Sequence, residues 1–103
     1  METVESINLI TRNPEVRGGR PCIIGTGLKV SDIVMAKVFH GQTPDAMAVS
    51  YGVTLAQVYA ALAYYYLHKD EIDTDIRDQI EKARELRDKH VGSRQASRLA
   101  TLE

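Results

Sequence analysis

The stretch from Pro44 to Tyr66 constrains the fold more tightly than any other part of the chain. Two helices that cross closely need a small residue at the crossing and a residue able to turn left-handed between them. They also need a buried aliphatic on the second helix. Ala48, Gly52 and Val58 supply these three at the offsets of a helix-turn-helix, and Val53 follows the glycine where a buried turn residue belongs. Thr43-Pro44-Asp45 opens the first of the two helices with a cap, a proline at the first helical position and an acid. That helix is expected to end at Tyr51-Gly52. Thr54 caps the second helix, and Gln57 sits behind it in the capping-box position. The second helix is expected to run to Tyr66 with Val58, Leu62 and Tyr65 on one face.

On the amino-terminal side, Ser31 followed by Asp32 reads as the cap and first turn of another helix. Ile33, Val34, Val38 and Phe39 would form its apolar stripe, and Gly41 its stop. Before it lies a stretch rich in glycine and proline. Ile7 and Leu9 alternate into Asn13-Pro14, and Cys22-Ile23-Ile24 and Leu28-Lys29-Val30 have the character of short strands. Such strands make at most a hairpin or small sheet that needs helices behind it. A last helix is expected over Asp70 to His90, with a narrow stripe of Ile72, Ile76, Ile80 and Ala83. Eight acids and five bases fall in the same span, acids first and bases later, as the helix dipole favours. The polar tail after Gly92, with Arg94 and Arg98, is expected to fray. The fold class expected is therefore mainly α: a tri-helical helix-turn-helix core from about Val30 to Leu67, a short N-terminal β element and a C-terminal helix. Residues 1–69 would make one domain, and residues 70–103 a charged helix and tail.

Charge limits what such a unit can bind. Thirteen basic and 14 acidic residues leave a net charge of −1, so nucleic acid would have to be held by local clusters. From Ala46 to Tyr66 there is no lysine or arginine, although phosphate contacts supply most non-specific affinity. Early in the second helix of the motif, Leu55, Ala56, Gln57 and Tyr59 would be exposed, and only Gln57 suits bidentate readout of a base, adenine. The cations sit instead near the amino terminus, where Arg12, Arg17, Arg20 and Lys29 face one acid, Glu15. In a glycine-rich loop these form either a phosphate-binding patch or a solvated loop whose arginines pair with acids elsewhere. The candidate DNA-binding residues are thus Arg12, Arg17, Arg20, Lys29, Thr54, Gln57 and Tyr59. The stripe of Ile72, Ile76, Ile80 and Ala83 is too narrow for a core-facing helix and is the candidate partner-binding surface.

Other residues exclude more than they assign. Cys22 is the only cysteine, so no internal disulfide or multi-cysteine metal site exists, and a lone thiol suits a reducing compartment. Beside Pro21 it reads as a small buried apolar residue. His40, His68 and His90 lie far apart, each near an expected helix end, where imidazole is favoured. Tyr64, Tyr65 and Tyr66 point in different directions, which leaves one or two for an interface or half-buried against the last helix. Asp70, Glu71, Asp73 and Asp75 lack the glycine and terminal glutamate of a calcium loop. No nucleotide fingerprint, nucleophile pair or acid–base pair is present, so neither enzymatic activity nor a cofactor is expected. Met1 to Ser6 lacks the character of a signal peptide, and no segment matches a membrane span, which points to the cytoplasm and away from membranes.

The run Asn13-Pro14-Glu15-Val16-Arg17-Gly18-Gly19-Arg20-Pro21-Cys22-Ile23, continuing through Gly25-Thr26 to Val30-Ser31-Asp32-Ile33, resembles domain-of-unknown-function family 433. Thr54, Val58, Ala61, Leu62, Tyr64 and Tyr65 keep step with the tail of that pattern, so the resemblance covers about Ile7 to Leu67. Ile24 and Gly27 stand where the pattern usually carries arginine. The resemblance implies a homeodomain-like tri-helical fold with a small β element. It also implies the antitoxin of a bacterial toxin–antitoxin pair with a PIN-like ribonuclease toxin. The function expected is therefore an antitoxin that neutralises that toxin and, as a homodimer on operator DNA, represses its own operon. The alternative is a small oligomeric protein-interaction adaptor that does not bind DNA.

Overall fold

Most helices of the amino-terminal unit begin where a side chain takes up an amide that the helix itself leaves unpaired. The computed structural model describes the backbone of residues 1–102 and the side chains of residues 1–89. Helix α1 spans Val30–His40, α2 Pro44–Tyr51, α3 Leu55–Leu67 and α4 Lys69–Leu102. Thr43 Oγ1 accepts from the Ala46 amide at 3.2 Å to start α2. Thr54 and Gln57 form the expected capping box at α3: Oγ1 of Thr54 accepts from Gln57 N at 3.1 Å, and Oε1 of Gln57 accepts from Thr54 N at 2.8 Å. At α1 the structure corrects the sequence reading. The cap is Lys29, whose amide donates to Asp32 Oδ2 at 3.0 Å, while Ser31 lies inside the first turn and is buried. Asp32 reaches back to Lys29 and so starts the helix before Ser31 can cap it.

Helices α1 and α2 stop at glycines. Gly41 and Gly52 take φ of 60° and 66°, and their amides donate to Ala36 O and Ala48 O. A left-handed residue costs glycine little, since no Cβ meets the neighbouring carbonyl. Helices α2 and α3 meet at a bend of 115° across Gly52, Val53 and Thr54, within the range of a helix-turn-helix.

Strands β1 (Ile10–Thr11) and β2 (Cys22–Ile23) pair antiparallel, Ile10 opposite Ile23 and Thr11 opposite Cys22. The expected strand at Leu28–Val30 shrinks to one bridge between Cys22 and Lys29, because α1 claims Val30. Between β2 and that bridge, Thr26 holds a tight turn: its hydroxyl donates to Ile23 O at 2.8 Å and accepts from Leu28 N at 3.0 Å.

Ile23, Val30, Ile33, Met47 and Val58 are fully buried, joined by Val34, Ala36, Ala61, Leu62 and Tyr65. Burial of each large aliphatic is worth roughly 1.5–3 kcal/mol, so one hairpin strand and three helices share a single apolar centre. The stripe expected on α1 is half wrong. Ile33 and Val34 face inward, whereas Val38 and Phe39 remain 62% and 59% exposed, since the last turn of α1 runs past the core. The fold is mainly α, as expected from the sequence. The chain divides into a compact unit over Met1–Ile72 and a second beginning at Asp73. Helix α4 extends to Leu102, past the end expected near His90. The side chains of Arg94 and Arg98 lie outside the described residues.

Candidate functional site

The four amino-terminal cations do not form one patch. Arg12 follows β1 and turns inward: its Nε and Nη2 donate to the Tyr64 hydroxyl at 3.0 and 2.6 Å, and Nη2 also pairs with Glu71 Oε1 at 2.6 Å. The hydrogen bond to Tyr64, then that to Glu71, raises the pKa of Arg12, so the charge is permanent but committed. The ring of Tyr64 stacks on His68, with centroids 4.1 Å apart. Imidazole Nδ1 lies 3.1 Å from Tyr64 O at the end of α3, where a histidine was expected. This cluster fastens the hairpin to the α3–α4 junction. Neither Tyr64 nor Glu71 was singled out as a partner of Arg12, because positions 52 and 59 residues away leave no local signal.

Lys29 lies 3.9 Å from Asp32 across the first turn of α1. Arg17 and Arg20 are the two cations kept at the glycine-rich turn. Arg17 Nε donates to Gly27 O at 3.0 Å, and Arg20 Nη1 donates to Arg17 O at 3.3 Å. Cys22 is buried at 2% exposure, and desolvation raises its thiol pKa, so it stays neutral. Its Sγ donates to Arg20 O at 3.4 Å, as befits a packed residue rather than a nucleophile.

On the recognition helix α3, Thr54 and Gln57 are used by the cap, with the Gln57 amide oxygen turned back to Thr54. Leu55 and Tyr59 stand 41% and 54% exposed, and Ala56 is exposed between them. The face that would enter a groove is therefore apolar with one tyrosine. Of the three consecutive tyrosines, Tyr65 is buried, Tyr64 takes Arg12, and Tyr66 is 59% exposed with Lys37 Nζ 3.2 Å from its hydroxyl.

The stripe on α4 divides. Ile72 and Ile76 are buried at 4% and 6% exposure, Ile80 is half-buried and Ala83 exposed. From Glu81 to Lys89 every side chain is exposed, including Leu86 at 68%. Leu86 lies three residues beyond Ala83 and continues the stripe that the sequence reading stopped one turn too early. No single described helix is long and apolar enough to cross a membrane.

The family model described as protein of unknown function (DUF433) matches residues 10–65. Among solved structures, a DUF433 member protein from Anabaena variabilis ATCC 29413 is 31% identical. The match covers 68% of this chain and 69% of that one, at a TM-score of 0.62. No curated protein matches. The family pattern ends where Tyr65 closes the core, so the hairpin, the glycine-rich turn and the helix-turn-helix form the shared unit, and the chain belongs to the DUF433 family.

Proposed function

We propose that this chain is a cytosolic antitoxin: α4 binds and neutralises a PIN-like ribonuclease toxin, and the helix-turn-helix unit, as a homodimer, binds operator DNA. One observation carries the reading. Helix α4 runs 34 residues, and between Glu81 and Lys89 none of its side chains is covered. A helix this polar gains little from its own apolar residues, and isolated helices are marginal in water. It gains most by laying Ile80, Ala83 and Leu86 into a groove, while acids and bases of both signs select the partner. The operator reading rests on the 115° bend and the exposed start of α3.

The adaptor reading is favoured by a different observation: Arg12 and Gln57, two of the expected DNA contacts, are engaged by partners within the chain, Arg12 by Tyr64 and Glu71 and Gln57 by the Thr54 amide. Mobility shift on the chain's own promoter separates the two readings. Retardation at low salt that weakens steeply as salt rises supports the operator reading. Absence of any shift, with partner binding intact, leaves the adaptor.

A further inference from the structure

We propose that the cleft between the β2–α1 turn and the segment from Thr11 to Val16 binds a tetrahedral oxyanion, a phosphate group carried by a small molecule or by a nucleic-acid backbone. The cleft holds about 410 Å³ and is lined by Asn13, Cys22, Gly25, Thr26 and Gly27 among others. That volume falls in the range of about 300–1,000 Å³ usual for small-ligand sites.

Its charge comes from Arg17, which does not itself line the cleft but adjoins Gly27, which does. The guanidinium lies against Gly27, where a Cβ would stand 3.4 Å from both Nε and Nη2. Nε is spent on Gly27 O. Among the described residues no protein acceptor takes the terminal amino groups, which are the part of the fork that matches phosphate. The backbone of Arg17 has φ of 50°, the one positive value outside glycine among the described residues, and Gly18 and Gly19 follow at 66° and 80°. Strain of this kind survives where surrounding contacts demand it, and it clusters at ligand sites. Arg20 is bedded the same way, with Nη1 on Arg17 O and 3.2 Å from the place of a Cβ on Gly18. Each arginine is tethered to a backbone carbonyl before any ligand arrives, which lowers the rotamer entropy that binding costs.

The other lining groups are donors or neutral. Asn13 Oδ1 accepts from Glu15 N at 3.0 Å, which leaves the amide NH₂ as its remaining polar group. The amides of Gly25 and Gly27 meet no protein acceptor among the described residues, and Thr26, bonded on both sides, holds the turn that presents them. Burial keeps the Cys22 thiol uncharged, and Asp32, whose carboxylate also raises that pKa, is not among the lining residues. The site stands apart from the operator reading: a chain that binds phosphate but no duplex would keep it.

The test is amide and arginine Nε resonances of the ¹⁵N-labelled full chain, titrated with inorganic phosphate, with potassium chloride at matched ionic strength, and with a short DNA duplex. Gly25, Gly27 and Arg17 Nε should move and saturate, and Arg17→Gln should weaken the response about tenfold or more. Movement with inorganic phosphate assigns a small phosphate-bearing ligand. Movement with the duplex alone assigns a backbone phosphate. Either outcome supports the site. Resonances that stay still with both, or follow chloride equally, overturn it, as does an Arg17→Gln chain that binds like the parent. Should Arg17→Gln disturb the fold, Arg17→Lys keeps a donor for Gly27 O and loses the fork. It should bind several-fold more weakly, and unchanged affinity overturns the proposal.

Discussion

Replacing Gly52 by alanine isolates the cost of the turn that sets α3 against α2. Gly52 has φ of 66°, and a Cβ built there meets nothing within 4 Å. The penalty is therefore conformational, with no clash to add. A left-handed alanine costs about 1–2 kcal/mol, partly offset by about 0.4–1 kcal/mol from a less flexible unfolded chain. The net loss should be about 1 kcal/mol. The hydrogen bond from the residue 52 amide to Ala48 O survives the change, so the turn itself persists. For a unit of this size such a loss lowers the melting temperature by about 4–8 °C. Far-ultraviolet circular dichroism during urea and thermal unfolding measures it. Gly52→Asn should lose less, since asparagine tolerates the left-handed region. An unchanged midpoint would show that residue 52 is not left-handed in solution. A loss above ~3 kcal/mol would show that a side chain there meets something, and the described turn would be wrong.

Ile33→Ala should cost about 2–5 kcal/mol and Ile33→Val about 0.5–1.5 kcal/mol, because Ile33 is fully buried; equal midpoints for the two would place it outside the core. Arg12→Ala should cost below ~1 kcal/mol, since Arg12 and Glu71 are 43% and 52% exposed and solvent screens the pair. The same variant should leave duplex affinity nearly intact, and a large loss in mobility shift would return Arg12 to the DNA-contacting set. Cys22 binds its proton more tightly folded than unfolded, so its contribution is complete below the ordinary thiol value of 9.0 and declines as pH rises through the folded value. Unfolding midpoints of the parent should therefore fall faster above pH 9.0 than those of Cys22→Ala; parallel curves would contradict a buried neutral thiol.

Where the structure follows local chemistry, the sequence was sufficient. Thr43 caps α2, Thr54 with Gln57 forms the capping box of α3, Gly41 and Gly52 end α1 and α2, and Ala48, Gly52 and Val58 mark the motif. Short-range rules miscarried where two of them competed. Ser31 and Asp32 both suit a helix start, and Asp32 prevailed by bonding one residue further back, at Lys29. Periodicity placed Val38 and Phe39 on the buried face of α1, but it cannot tell where a helix outruns the core it packs on. The candidate sites were hardest to read. Four cations of similar sequence context divide into Arg12, held by Tyr64 and Glu71 from α3 and α4, Lys29, beside Asp32 in the first turn of α1, and Arg17 and Arg20, held by nearby carbonyls. Only a tertiary contact makes that distinction.

The exposed stretch of α4 carries the proposed function. The direct measurement is RNA cleavage by the toxin partner that the antitoxin reading requires, a PIN-like nuclease, titrated with the full chain and with an Ile80→Asp, Leu86→Asp variant. The full chain should suppress cleavage at about one equivalent. The variant should keep its unfolding midpoint and lose suppression by about tenfold or more, because each charge would be buried unpaired in the partner's groove. A full chain that leaves cleavage untouched, or a variant that suppresses it as well as the parent, would contradict the antitoxin reading.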